Sequence, residues 1–533
     1  RLRGAGADAA ARALMRPVLT ADEMRRVDAR ATAELGISGP TLMENAGRGA
    51  ADALLAALPE RGLRPRGLRV SIVCGRGGNG GDGFVVARRL KRAGARPDVL
   101  MVAPPDALRG DAAGKFAEMR RAGIAARVVD DASVADVALR RSQLIVDALL
   151  GTGGRGGPAP LVAALIEAIN SSGRPVVALD LPSGLPADGE PPTGPVVRAW
   201  FTPTFAALKL GLVIGAGREL AGRVVVVPIG VPDAEVARDV RTFLLEASDV
   251  APLFPRRQRD AHKGTYGHLL VLAGSVGKTG AAALCARAAL RAGVGLVTVG
   301  TAASAQPTVA ALLLEAMTEP LPETGARSLG IKARESIVAL AEARAAVAIG
   351  PGLGLDDETR ALARVLVTTL PRPMVVDADA LTALADHLEA LRGVRDARVL
   401  TPHPGEMARL LGGAIGDVQR DRVGVARGFA VAHAVHLVLK GADTLIAGPD
   451  GRVLINPTGN AGMASGGTGD VLTGILGALL ARGIDAAQAA PAAVYLHGLA
   501  GDVAAERVGQ EALIASDVVE ALGDAYRRLA DVR

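Results

Sequence analysis

Aspartates at the ends of short apolar runs are the residues of this 533-residue chain best placed to do chemistry. In the first half they are Asp147 in DALLGTGGRGG (147–157) and Asp180 in DLPSG (180–184). A glycine-rich segment, GRGGNGGDG at 75–83, follows the run RVSIVC and brings Asn79 and Asp82. Its glycines let a backbone approach a phosphate closely, and the helix expected from about residue 82 offers free amide donors. A glycine-rich turn alone serves equally as a tight turn. In an open α/β sheet, ligands bind beyond the carboxyl ends of the strands. Asp147, Asp180 and Ser183 are therefore expected to face the same crevice as Asn79. Each acid taken alone is more often a helix cap or a turn residue, but three such strand ends in one half favour a site.

In the second half, GGTGD at 466–470 directly precedes the apolar stretch VLTGILGALL. The glycines and Thr468 form an anion-binding nest at a helix N-terminus. Asp470 falls in the first turn, where the helix dipole is expected to keep it ionised. Such a carboxylate can act as general base toward a hydroxyl beside a transferring phosphoryl group. A capped helix with a glycine turn is the plainer alternative. GPGLG (350–354), DADAL (377–381), TPHPGEM (401–407) and KGADT (440–444) each follow a predicted strand. His403 is expected to point into the crevice at those strand ends. His403 and Glu406 alone are too sparse to make a metal site.

Alternating strands and helices must carry these segments. Thr20 and Glu23 make a capping box that opens a helix to about residue 34, and a second helix covers roughly 41–57. Predicted strands follow at 69–74, 98–102, 143–149, 175–180 and 223–229. The stretch 233–261 breaks the rhythm with Pro252, Pro255 and the charged run RRQRD at 256–260, and reads as a linker. The alternation restarts with strands at 268–274, 295–300, 345–350, 373–379, 398–403 and 436–441, and ends in three helical stretches after residue 468. The fold class is α/β, with a mostly parallel, doubly wound sheet in each half.

Composition bounds the rest. The length calls for more than one domain, and 49% hydrophobic with 22% charged residues is globular composition. The net charge of +6 is spread along helices, and aromatics are 2%, so no nucleic-acid partner is expected. Cys74 and Cys285, the two cysteines, form neither a disulfide framework nor a zinc cluster, and fit a cytoplasmic setting. No apolar run reaches a spanning length without a charge, so no membrane helix is expected. Residues 1–15 read as a disordered extension ahead of the first helix, and lack the apolar core of a signal peptide.

The motifs of residues 16–232 resemble those of the NAD(P)H-hydrate epimerase family: MENAG (43–47), NGGDG (79–83), DALLGTG (147–153), DLPSG (180–184) and TFAALKLG (204–211), in that order. The resemblance implies a Rossmann-like domain. It implies contacts to a hydrated nicotinamide cofactor from Gly78, Asn79, Gly80, Gly81 and Asp82, from Gly151, Thr152, Gly153, Gly154, Arg155, Gly156 and Gly157, and from Asp180. It also implies a potassium ion held by Asn79, Asp147 and Ser183. Asp180 is the candidate catalytic group. Two departures stand out: Gly78 where the family has an asparagine, and Trp200 where an acid is usual.

Residues 262–533 resemble the ribokinase-like fold, and more closely the ADP-dependent NAD(P)H-hydrate dehydratases. The resemblance runs through HKGTYG (262–267), the stretch 277–299, GPGLG, VVDADAL, LTPHPGEMARLLG, VLKGADT and GGTGD. It implies that Lys440, Gly441, Ala442, Asp443, Thr444 and Gly469 contact ADP or AMP. Ala281, Gly352, His403 and Asp470 would contact the hydrated cofactor, with Asp470 catalytic and magnesium on the phosphates. The implied function is repair of NADHX and NADPHX, by epimerisation at C6 and ADP-dependent dehydration, in a homo-oligomer. The alternative is a C-terminal kinase of a small alcohol, such as a vitamin precursor, with a non-catalytic N-terminal binding module.

Overall fold

The computed structural model describes residues 15–154 and 156–532. Most of the expected extension at 1–15, and Arg155 of the 151–157 loop, lie outside the described residues. The chain forms two compact units, one spanning Pro17–Val240 and the other running from Arg241 to the C-terminal end.

The first unit is built on seven strands: β1 (Arg69–Cys74), β2 (Arg96–Met101), β3 (Ala126–Val128), β4 (Leu144–Ala148), β5 (Val176–Ala178), β6 (Phe201–Phe205) and β7 (Arg223–Val227). They lie in the order β3-β2-β1-β4-β5-β6-β7, all parallel. Five of the six residues of β1 are buried, as a strand covered by helices on both faces requires. The order reverses between β1 and β4, and a crevice opens there at the carboxyl ends. Helices α1 (Ala21–Ala33) and α2 (Gly39–Ala57) precede the sheet. Thr20 and Glu23 form the expected capping box on α1. The helix after the glycine run, α3 (Gly78–Arg92), starts about four residues earlier than the sequence suggested. Most of its glycines serve packing. A Cβ on Gly80 would lie 2.0 Å from the Gly75 carbonyl oxygen, and one on Gly83 2.8 Å from Cys74 Sγ. Only Gly77 and Gly78, at the helix start, have open space before them.

The stretch 233–261 is not the linker its prolines suggested. Within it Thr242–Leu244 forms a strand, β8, of the second unit, with Phe243 and the following Leu245 buried. The other strands of that unit are β9 (His268–Leu272), β10 (Leu296–Ala302), β11 (Met317–Leu321), β12 (Ala346–Ile349), β13 (Met374–Val376), β14 (Arg398–Leu400), β15 (His436–Leu439), β16 (Leu445–Ala447) and β17 (Val453–Ile455). Their order is β11-β10-β9-β12-β13-β14-β15-β16-β17-β8. The pairs β15–β16 and β16–β17 are antiparallel and the rest parallel. The short strands β11, β16 and β17 escaped the sequence reading because three to five residues carry little periodicity.

Helices α4 (Thr279–Arg291), α5 (Pro404–Leu411), α6 (Thr468–Ala481), α7 (Ala486–Val508) and α8 (Ala515–Ala530) shape the second crevice. Eleven consecutive residues of α6, Val471–Ala481, are buried. It crosses α4 at backbone contact, since a Cβ on Gly474 would stand 2.1 Å from the Cys285 carbonyl oxygen. Backbone cannot yield as a side chain can. Gly474→Ala should therefore destabilise the second unit by ~1–3 kcal/mol. Urea denaturation followed by far-UV circular dichroism measures this, while the fluorescence of the single tryptophan, Trp200, reports the first unit separately.

Candidate active sites

In the first unit three side chains gather around Leu150, just past the end of β4. The Asn79 side-chain amide donates to the Leu150 carbonyl at 2.8 Å, and the Leu150 N–H donates to Ser183 Oγ at 2.8 Å. Ser183 in turn donates its hydroxyl to Asp147 Oδ1 at 2.6 Å and its backbone N–H to Oδ2 at 2.8 Å. Asp147 is fully buried. Burial pushes its carboxyl up to about 6, while the Ser183 and Leu149 donors work the other way. Asn79 Oδ1 is buried and accepts no hydrogen bond from a described residue. An unfilled amide oxygen beside a buried carboxylate and a serine hydroxyl is a hard-oxygen donor set suited to an alkali cation.

A second cluster lies at the ends of β5 and β6. Lys209 is fully buried, with its Nζ 2.6 Å from Asp180 Oδ1, 2.6 Å from the Phe205 carbonyl and 3.1 Å from Thr204 Oγ1. Asp180 holds a left-handed backbone, φ 68°, which a short polar side chain tolerates. The same Oδ1 accepts Thr204 Oγ1 at 3.1 Å and the Phe205 N–H at 3.2 Å. Asp28 of α1, exposed as a residue, adds a further carboxylate within the field of Lys209 and Asp180.

The second unit's crevice is organised by Asp377, which follows β13 and is 1% exposed. Its Oδ1 takes the Lys440 ammonium at 2.8 Å and its Oδ2 the Thr473 hydroxyl of α6 at 2.7 Å. Lys440 also lies 3.7 Å from Glu406. Burial opposes its charge, but Asp377 and Glu406 outweigh it and hold the ammonium above the usual lysine range. Gly469, at the start of α6, faces this pair: a Cβ there would be 3.5 Å from Lys440 Nζ. Asp470 follows in the first turn. Contrary to the expectation of a carboxylate kept ionised by the helix dipole, burial and then the Asp377 charge push it up to about 7. Asp379 accepts Lys278 Nζ at 3.0 Å and the Gly354 N–H at 2.9 Å. Gly352 packs on Lys278 and Ala281, at a left-handed φ of 60°. His403 caps α5, its Nδ1 accepting the Gly405 N–H at 3.0 Å, and its other ring nitrogen is 3.6 Å from Glu406. Residues 440–444 turn between β15 and β16, braced by Arg422 donating to the Ala442 carbonyl at 2.5 Å.

Two family models match the chain: a YjeF-related N-terminal domain over residues 39–211 and NAD(P)H-hydrate dehydratase over residues 269–523. A bifunctional NAD(P)H-hydrate repair enzyme of Moorella thermoacetica is 44% identical over 520 residues, covering 96% of this chain and 97% of that one. The chain belongs to the bifunctional NAD(P)H-hydrate repair family. The Escherichia coli relative of the same name is 37% identical, over 94% of this chain and 92% of its own. A crystal structure of the ADP/ATP-dependent NAD(P)H-hydrate dehydratase of Bacillus subtilis, co-crystallised with ATP and magnesium, is 33% identical. It covers 54% of this chain and 98% of that chain, with a TM-score of 0.48. With family membership come a Rossmann-like first unit and a ribokinase-like second unit.

Seen against the repair family's motifs, several residues take clear places. Glu44 of MENAG pairs with Arg88 at 2.5 Å and Lys115 at 2.8 Å, and Asn45 donates to the Ile229 carbonyl at 2.8 Å, so this motif holds helices together. Trp200 precedes β6, at the end of the sheet away from the crevice, under the Arg61 guanidinium at 5.0 Å. Gly78 opens α3 with no described atom within 4 Å of where a Cβ would sit, so an asparagine would fit among the described residues. Gly151 lies against Asn79, its Cβ position 3.3 Å from that of Asn79. Lys209, Asp28, Asp377, Lys278, Asp379 and Thr473 were not singled out as site residues from sequence. Asp377 and Lys209 carried a signal, since each belongs to a quoted motif, but their pairing is long-range.

A general base must lose its proton to work. With Asp470 raised to about 7, kcat/KM for dehydration should fall as pH drops below about 7 and level off above it. A pH–rate profile flat down to pH 5 would remove Asp470 from that role.

Proposed function

We propose that the two crevices act on the two C6 epimers of NADHX and NADPHX, the first interconverting them and the second dehydrating one with ADP. The observation that carries the dehydratase reading is the meeting of the Gly469–Asp470 nest with the Asp377–Lys440 pair. A hydroxyl is a poor leaving group, and phosphorylation converts it to a good one. Asp470 takes the proton of the C6 hydroxyl, the oxygen attacks the terminal phosphorus of ADP, and AMP leaves. The C6–O bond then breaks as the ring nitrogen pushes electrons toward C6. Loss of a C5 proton restores the dihydropyridine, so each turnover yields AMP, phosphate and NAD(P)H.

Each remaining group has a part in this scheme. Lys440 is held by Asp377 rather than neutralised in bulk solvent, so its remaining donors can meet a phosphate. Amides at the start of α6 add to the same charge. The Arg422-braced turn 440–444, with Thr444 donating to the Gly441 carbonyl at 2.8 Å, offers a fixed backbone edge to the nucleotide. Ala281 and Gly352, which pack together, and His403 would meet the hydrated ring. Magnesium suits this setting as an ion carried by the nucleotide phosphates, because Asp377 and Asp379 are already engaged by protein donors. It would neutralise phosphate charge. In the first unit, Asn79, Asp147 and Ser183 would hold potassium, which would fix the loops around the substrate.

Asp470→Asn should cut dehydration by ~10²–10⁴-fold and leave epimerisation intact. The assay uses purified hydrate epimers with ADP, and AMP and phosphate should appear in equal amounts. Near wild-type dehydration by the variant would sink the mechanism, and turnover with ATP but none with ADP would overturn the donor. For potassium, Asp147→Ala should abolish the difference between potassium and sodium salts in epimerisation rate. A full potassium response in that variant would show that Asp147 is no ligand.

A further inference from the structure

Asp82 lies one turn into α3 and is 8% exposed. Its carboxyl is engaged by no hydrogen bond from a described residue, and the charges that act on it are Asp180, Asp28 and Lys209. On the β1 side its neighbour is the buried Cys74 thiol, which burial keeps protonated. A Cβ at the flanking Gly81 would meet Met43, and one at Gly83 would meet Cys74 and Ala148, so the helix packs tightly on either side of Asp82. The Asp82 carboxyl, without a hydrogen-bond partner among the described residues and over nine-tenths buried, lies within the field of the crevice groups Asp180 and Lys209. Asp180 differs in every respect: one of its oxygens receives an ammonium, a hydroxyl and a backbone N–H. Two carboxyls in one crevice are therefore placed in opposite environments, the usual arrangement for an acid and a base working together.

We propose that Asp82 is the proton donor and Asp180 the proton acceptor of the epimerisation, a reading that rests on the first unit being the epimerase. The substrate's C6 carries a hydroxyl next to the ring nitrogen, so it is a hemiaminal. Asp180 takes the hydroxyl proton, the C6–N1 bond breaks as the C6 carbonyl forms, and Asp82 gives its proton to N1. Rotation about the C5–C6 single bond presents the other face of the aldehyde. N1 attacks that face and returns its proton to Asp82, while the C6 oxygen regains a proton from Asp180. Nothing is oxidised or reduced, and both carboxyls end as they began. Burial, with Asp180 and Asp28 adding and Lys209 opposing, holds the Asp82 carboxyl well above the usual range, which favours the protonated form that a donor needs. Asp28, in this arrangement, tunes the acid through its charge.

The test uses the full chain without ADP, so dehydration is silent, and follows conversion of the purified R hydrate to the S hydrate by chromatography across pH. Wild-type kcat should fall on the alkaline side, as Asp82 loses its proton. Asp82→Asn should lower kcat by ~10²–10⁴-fold with a much smaller change in KM. Asp28→Asn removes a like charge and should move the alkaline fall to lower pH. An Asp82→Asn enzyme with wild-type kcat, or an Asp28→Asn enzyme whose alkaline fall stays in place, overturns the assignment of the acid. If Asp82→Asn fails to fold, the Asp28→Asn profile decides alone. A wild-type chain that does not interconvert the hydrates overturns instead the reading of the first unit as epimerase.

Discussion

A helix N-terminus brought down hard onto strand ends is the constraint on which both crevices depend. Helix α3 can start four residues after β1 only because Gly80, Gly81 and Gly83 let its backbone touch Gly75, Met43 and Cys74. Helix α6 reaches its place because Gly474 meets the backbone of α4 and Gly477 meets Leu269 of β9 and Ala348 of β12. A methyl group at these positions would lift the helix by ångströms, and with it the amide donors and the carboxylates in its first turns. Glycine in a helix costs about 0.5–1 kcal/mol against alanine. That cost is accepted here in exchange for the position of the helix end.

Close approach also creates the electrostatic problem that shapes the sites. Side chains at buried strand ends lose water, and a charge there needs a partner. Lysine answers in both units: Lys209 on Asp180 and Lys440 on Asp377. The two pairs differ in use. Lys209 is spent, with three protein acceptors around it and no exposed surface. Lys440 keeps part of its side chain open, 19% exposed, and can still meet an incoming phosphate.

Much of this was legible in the sequence, and the limits are physical. The longer strands β1, β4, β9 and β10 are apolar runs bounded by glycine or aspartate, and their helices carry capping and periodicity signals, so the α/β class and the strand-end loops could be read directly. Short strands such as β3, and β8 inside an apparent linker, are fixed by pairing with segments well separated in sequence, while β16 is a three-residue strand of local hairpins, too short to show a period. The candidate residues Asn79, Asp147 and Ser183 do converge, because loops at adjacent parallel strand ends must. Asp377 and Lys440, 63 positions apart, become partners only because β13 and β15 flank β14 in the sheet, which local pattern cannot reveal. The glycines of 75–83 invited a phosphate-approach reading, whereas most of them are occupied by packing.

The protonation of the helix-borne aspartates shows which effect wins when two principles conflict. A helix dipole stabilises a carboxylate in the first turn by about 0.3–1 kcal/mol. Since a shift of one in pKa is about 1.4 kcal/mol, the dipole moves a carboxyl by less than that. Burial and like charges act with several times this strength. Asp470, in the first turn of α6, feels the full dipole and still rises to about 7 because it is buried beside Asp377, with the Lys440 ammonium moderating the rise. It ends near neutrality, where a base is both available and strong enough to take a hydroxyl proton. Asp82 sits a turn further into α3, where the dipole has faded, near two other carboxyls and with no donor among the described residues. Its carboxyl is held well above the usual range, as the proposed donor requires. Each of the two aspartates has two neighbouring carboxyls and one lysine, so what separates them is the extent of burial and the depth within the helix, and with it the role proposed for each.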